Sequence, residues 1–370
     1  MRHSNRRSPV VRLVNCRLIL VGTLLWATGC QNLGPKTLAE GRPAYNTAVQ
    51  RTSNEEMLLN IVRLRYRDTP FFLKVSAIAA NVSAEVGIGG GAQFPDMAPN
   101  VGNISGTAKY RDNPTVTYAP LQGDAFVKQL LTPVRLETLL LLIDSGWSID
   151  RVLRLCVQRL NGVRNAPSAS GPTPELAPTY EEFARVAALF RALQQRDAIY
   201  FTVSHQAPWG LTVQFRKGES DSQEALELAI RLNLKAGARR FTFTNQVDVS
   251  SNSELIGIET RSLMGSLFYL SQAVAPPERH ESNAWVTVTR NHDGSKFEWD
   301  QMMGDFFHVT STRSKPANTF LSTDYLGASF SIDHANLNTK ATFALLDQLF
   351  ALQAGTASGA GPVLTLPISR

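Results

Sequence analysis

Between Ala80 and Phe94 the chain alternates without a break. Even positions read Ala80, Val82, Ala84, Val86, Ile88, Gly90, Ala92 and Phe94; odd positions read Asn81, Ser83, Glu85, Gly87, Gly89, Gly91 and Gln93. A period of two sustained over so many residues excludes a helix and predicts one unusually long strand. Pro95, Asp96 and Pro99 make 95–100 a turn or loop tip. The chain then returns with Gly102, Ile104, Gly106, Ala108 and Tyr110 on one face, and Asn103, Ser105, Thr107, Lys109 and Arg111 on the other. The stretch 71–119 is thus read as a long, two-faced β-hairpin rich in small residues. Its Gly87-x-Gly89-x-x-Ala92 spacing imitates a dinucleotide-binding loop, but Pro95 interrupts where a helix must follow.

A second constraint lies at the start of the sequence. Arg2, Arg6, Arg7, Arg12 and Arg17 precede the apolar run Leu18–Cys30, which closes on small residues. A basic segment, a short apolar segment and a small-residue boundary are the parts of a secretory signal. The run is too short to cross a bilayer, which takes ~20 apolar residues. Ala27-Thr28-Gly29-Cys30 resembles the lipobox of bacterial lipoproteins, with Ala27 where that family more often has Leu. The resemblance implies cleavage before Cys30, acylation of Cys30, and a mature chain held by several acyl chains. Each buried CH₂ contributes ~0.8 kcal/mol, and one chain alone anchors only marginally. Gln31, in place of Asp, implies sorting to the outer membrane, facing the periplasm. The resemblance carries neither a fold nor an activity.

Processing changes how the composition reads. The whole chain has 37 Lys+Arg against 31 Asp+Glu; without the five arginines of the signal the balance is 32 against 31. A nearly neutral mature chain removes the main argument for nucleic acid as a partner. Of the three cysteines, Cys16 lies in the signal and Cys30 at the lipobox, so Cys156 has no partner for an internal disulfide. It sits among Val152, Leu153, Val157 and Leu160 and reads as a small apolar core residue.

Gln31–Arg42, with Gly34, Pro35 and Gly41, reads as a tether. Ser53 with Glu56 three residues later reads as a capping box opening a helix whose last turn, with Arg63, Arg65 and Arg67, is a solvated basic end. Helices are predicted over Asp124–Leu131, Val134–Ile143 and Ile149–Leu160, the second apolar all round and central to the core. Asn165–Pro178 reads as an exposed loop, and a helix follows to about Gln195 with Phe183, Val186, Leu189 and Phe190 inward. From Ala198 strands and helices alternate. Strands are predicted at Ile199–Ser204, Leu211–Arg216, Arg240–Asn245, Trp285–Thr289, Phe306–Ser311, Leu326–Ile332 and Val363–Ile368. Helices are predicted at Glu224–Leu234, Thr260–Leu270 and Thr339–Leu352.

Catalytic signatures do not appear. His205, His280, His292, His308 and His334 are scattered without metal-ligand spacing, and no Gly-x-Ser-x-Gly, Ser-x-x-Lys or phosphate-cradling loop occurs. Asp333, His334, Asn336 and Asn338 read as a turn and helix cap. The fold class expected is α+β: a mixed sheet with flanking helices, a helical subdomain and a long projecting β-hairpin. The organisation expected is a signal at 1–29, a lipidated tether at 30–42 and one domain at 43–370. Within that domain 71–119 is the hairpin, 120–196 the helical part and 197–370 the mixed part. The function expected is a structural, assembly or partner-binding role in the envelope. The alternative is a periplasm-facing hydrolase or glycan-active enzyme with a dispersed site. No cofactor or metal is expected. The partners expected are the membrane through the lipid on Cys30, envelope proteins, and further copies of the chain. The hairpin residues Val82, Val86, Ile88, Phe94, Ile104 and Tyr110 are the candidate contacts.

Overall fold

The computed structural model describes residues 33–79, 82–91, 103–112, 115–204, 210–245, 253–354 and 364–367. Contacts divide the chain into two units, Met1–Ser53 and Asn54–Arg370. The first holds the opening turns of helix α1, Leu33–Arg65. Helix thus occupies most of the stretch read as a tether, and Ser53 lies inside α1 rather than at its start. Upstream, Thr47 and Thr52 turn their hydroxyls back onto the carbonyls of Pro43 and Ala48, so the backbone needs no cap at Ser53.

In the second unit the last turns of α1 bury Met57, Leu58, Ile61, Val62 and Leu64. Asn60, fully buried, donates to Phe71 O (2.7 Å) and accepts from Phe71 N (2.9 Å), so one side chain replaces a strand partner for the chain that leaves α1. Glu56 accepts from Leu73 N at 2.6 Å. These bonds fix the start of β1, Leu73–Ala79. After β2 (Val82–Gly91) and β3 (Asn103–Asp112) comes β4, Thr115–Pro120. β4 pairs antiparallel with β1 on one side and with the final strand, β14 (Leu364–Pro367), on the other.

The helical part follows as α2 (Asp124–Leu131), α3 (Leu136–Asp144) and α4 (Ile149–Cys156). α3 is one-sided rather than central. Leu139, Leu142 and Ile143 are buried but Leu141 is 54% exposed, so its run of leucines presents one face to water. The helix expected to reach Leu160 stops at Cys156, and Val157–Leu160 becomes β5, which pairs with β6 (Val163–Arg164). Val157 and Leu160 satisfy a helical and an extended pattern equally; pairing with a distant strand decides between them. The segment 165–178, expected to be exposed, buries Asn165, Ala166, Ala169 and Thr173 around a 3₁₀ turn at Pro167–Ser170. α5 (Glu181–Gln195) buries Phe183, Val186, Leu189 and Phe190 as its periodicity requires.

The mixed part is built on a six-stranded sheet. β7 (Ile199–Ser204), β8 (Gly210–Phe215), β9 (Arg240–Thr244) and β10 (Leu255–Thr260) join β5 and β6 in the order β6-β5-β10-β9-β8-β7. β9 and β10 run parallel and every other pair is antiparallel. α6 (Gln223–Arg231) packs on α5, and α7 (Leu263–Ser271) begins after Ser262, whose Oγ accepts from Gly265 N at 3.0 Å. The short helices α8 (Glu278–Ser282) and α9 (Asp300–Met303) precede a three-stranded antiparallel sheet. Its strands are β11 (Thr310–Thr312), β12 (Thr319–Tyr325) and β13 (Ala328–Asp333), in the order β11-β13-β12. Residues 285–289 form no ladder strand. α10 (Leu337–Ala354) buries Phe343, Leu346 and Leu349, and Asn336 Oδ1 accepts from Thr339 N (3.0 Å) at its start. The class is α+β with a mixed sheet flanked by helices.

Charged side chains tie the exposed faces together. Glu227 accepts from Arg185 (2.8 and 2.5 Å) and from Arg231 (2.8 Å), joining α5 to α6. Those bonds, Arg185's first, hold its carboxyl down at about 2. A carboxyl depressed in the folded state contributes stability above its unfolded pKa and loses it as the pH falls through the folded value. Glu227→Gln is therefore expected to lower the melting temperature slightly at pH 7, since exposed ion pairs contribute little, and the difference from wild type is expected to vanish as the pH falls from about 4.5 to 2.

Candidate functional site

Two regions stand apart from ordinary packing. In the first, β2 and β3 pair over ten residues, from Val82 opposite Asp112 to Gly91 opposite Asn103. In the β1–β4 pair Ala79 is opposite Thr115, with two residues on each side between that pair and the Val82–Asp112 pair. The register matches like with like: Ala84 with Tyr110, Val86 with Ala108, Gly90 with Ile104, and Glu85 with Lys109. The β1–β4 pair has a third strand, β14, whereas among the described residues β2–β3 has none. Of the expected contact residues, Cys30 and Phe94 lie outside the described residues. Val82, Val86, Ile88, Ile104 and Tyr110 are located by backbone register alone.

The second region is organised by two buried arginines. Arg261, just after β10, is 1% exposed. Its Nε donates to Ser170 Oγ (2.8 Å). Nη1 donates to the carbonyls of Arg154 (3.0 Å), Val157 (2.6 Å) and Leu155 (3.4 Å), and Nη2 to that of Asn165. Arg154 and Leu155 end α4, so the cation also meets the negative pole of that helix. The guanidinium lies 4.0 Å from the centroid of the Tyr269 ring. Burial lowers its pKa to about 10, which leaves it charged at neutral pH.

Arg65, expected at a solvated helix end, is 3% exposed. Its Nη1 donates to Thr173 Oγ1 and Thr287 O, both at 3.1 Å, and Nε reaches Val274 O at 3.4 Å. Sequence could not place it, because those partners come more than a hundred residues later. Burial, offset in part by Glu281, lowers its pKa to about 10. Arg65 lines a cavity of about 110 Å³ with Gln272, Val274, Glu281, Thr289, Lys296 and Trp299 among its other walls. Lys296 Nζ meets both Glu281 oxygens at 2.9 and 2.8 Å. Glu298 and Asp300 also line the cavity and are exposed. Asp300 Oδ1 is 2.7 Å from His308 Nδ1.

The remaining titratable groups have structural surroundings. Cys156 is sealed in the core, and burial pushes its thiol up to about 12, far from a nucleophile's range. His280 is buried with Nδ1 2.6 Å from Tyr66 Oη, and its ring stacks beside Trp285. Asp333 Oδ1 accepts from Ala335 N at 2.7 Å, closing a turn. Glu182 pairs with Arg231, Glu254 with Lys235 and Glu259 with Arg159. Among the described residues no group of three or more His, Cys, Asp or Glu is placed to hold a metal ion. Nor is any helix among them long and apolar enough to cross a membrane. Compared with models of protein families, with curated proteins and with solved structures, the chain finds no match in any of the three.

Proposed function

We propose that this chain is a lipid-anchored protein of a bacterial cell envelope. It is tethered through Cys30 to the outer membrane, faces the periplasm, and binds protein partners, further copies of itself included, through the β2–β3 ladder. The single observation that carries the reading is the ten-pair β2–β3 ladder, which has no third strand among the described residues. An isolated two-stranded ribbon is marginal in water, and each of its outer edges offers a row of backbone N–H and C=O groups. Strand addition satisfies those groups and is a recurrent mode of protein recognition. The lipobox-like Ala27–Cys30 supports the location, and the absence of a catalytic signature in the sequence supports binding rather than turnover.

Two measurements test the reading. Wild-type chain expressed in a bacterium is expected to incorporate labelled palmitate and to sediment with outer membranes, and Cys30→Ser is expected to do neither. Labelling that persists in Cys30→Ser would remove the anchor. Amine-reactive crosslinking in intact membranes is expected to give discrete species above the monomer, and a monomer band alone would remove the assembly role.

A further inference from the structure

The two buried arginines are satisfied to different degrees. Arg261 places all three of its nitrogens on oxygen atoms and borders on the ring of Tyr269. Arg65 places Nε and Nη1 only, and Nε at the long distance of 3.4 Å. Among the described residues Nη2 of Arg65 donates no bond, and it is not one of the buried atoms sealed from solvent. Since the side chain lines the cavity, that nitrogen opens on it. A guanidinium taken out of water keeps a large desolvation cost unless oxygens or an anion compensate it. Here Glu281 supplies the main compensating charge, and its carboxylate is committed to Lys296.

The cavity wall carries both signs. Lys296 and Glu281 neutralise each other, which leaves buried Arg65 against the exposed carboxylates of Glu298 and Asp300. A simple dianion would gain from the first and be repelled by the second. A ligand with a carboxylate at one end and an ammonium at the other is favoured by both. The volume limits its size: a cavity of roughly 150 Å³ suffices for a six-carbon ring, so about 110 Å³ suits four or five heavy atoms, with room for one more at its open mouth. Trp299, Phe297 and Val288 supply apolar wall for a methyl group. We propose that this cavity binds a small zwitterionic amino acid, of glycine or alanine size. Its carboxylate sits on Arg65 and its ammonium faces Glu298 and Asp300.

The test is titration calorimetry on the full chain in detergent micelles. The probes are glycine and both enantiomers of alanine, with acetate, ethylammonium and inorganic phosphate as single-charge or dianion controls. Glycine or an alanine is expected to bind, with acetate and ethylammonium at least about tenfold weaker because each forfeits one charge-assisted contact. Arg65→Lys is expected to abolish binding. Because that residue is buried, Glu298→Gln, on the exposed rim, provides the second variant. It is expected to weaken the amino acid several-fold and to leave acetate unchanged or tighter. The absence of heat for every amino acid up to about 10 mM (about 2.7 kcal/mol of binding free energy) with folded protein would overturn the proposal. So would acetate or phosphate binding as tightly as glycine, or Glu298→Gln leaving amino-acid affinity unchanged.

Discussion

Arg261→Met is expected to lower the free energy of unfolding by about 2–3 kcal/mol, measured by urea denaturation of the otherwise intact chain. Two effects oppose each other. Methionine removes the cost of holding a guanidinium in the core, and replacing a whole buried ionic group by apolar side chains is often neutral. Here, however, only the donor is removed. Three of the carbonyls keep a second donor, Arg154 O and Val157 O from Asn165 Nδ2 and Leu155 O from Ser266 Oγ, whereas Asn165 O loses the one side chain that donates to it. That orphan costs about 1–3 kcal/mol, the end of α4 loses the cation that faces its dipole, and the stacking on Tyr269 is lost. Together these outweigh the recovered desolvation. Arg261→Lys is expected to fall between, since a single ammonium keeps the charge but cannot reach all four carbonyls and Ser170 Oγ at once. With a typical domain stable by about 5–15 kcal/mol, the methionine variant is expected to fold with a clearly lowered urea midpoint. A loss under about 1 kcal/mol would show that water or side-chain rearrangement replaces the arginine.

The role of Arg261 also explains which parts of the fold were legible in the sequence. α2 and α5 were readable because Asp124 and Glu181 open them and their apolar residues recur at helical spacing, so local pattern and tertiary burial agree. The switch from α4 to β5 at Cys156 was not. Val152, Cys156, Val157 and Leu160 suit either period, and the decision is made by Ile258, Glu259 and Thr260 across the sheet and by Arg261 at the helix end. β10 carried a visible alternation at Ile256, Ile258 and Thr260, all buried. The following apolar run drew the expected helix back to Thr260, although Ser262 is the cap. β12 was missed because its two-residue turn uses Leu326 and Gly327, both at positive φ (47° and 72°). A leucine there is not a turn signal, since β-branched and bulky residues rarely take that conformation. The candidate cavity was illegible for a simpler reason: Arg65 is basic and ends a helix, which describes an exposed residue unless chain from 173 and from 274–287 closes over it.

The strand alternation of β2 and β3, by contrast, is plain in the sequence, and the proposed role of their ladder is tested by an excision that leaves the β1–β4–β14 sheet. Gly87 is paired with Thr107, and Val86 with Ala108. Replacing Gly87–Thr107 by Asn-Gly thus leaves Val86 and Ala108 flanking a two-residue loop of the kind that closes an antiparallel pair. The variant retains five pairs of the β2–β3 ladder, Val82–Val86 with Ala108–Asp112, and all of the β1–β4–β14 sheet. What it removes contributes little stability of its own. Four of the ten β2 residues are glycine, at 87, 89, 90 and 91, which order at high entropic cost and offer no side chain to pack. The excised chain is expected to unfold within about 1 kcal/mol of wild type while losing its membrane crosslinks. Such a separation of folding from assembly is what a strand-adding element requires. Global unfolding would return the ladder to the core as an ordinary covering hairpin, and unchanged crosslinking would move the interface elsewhere.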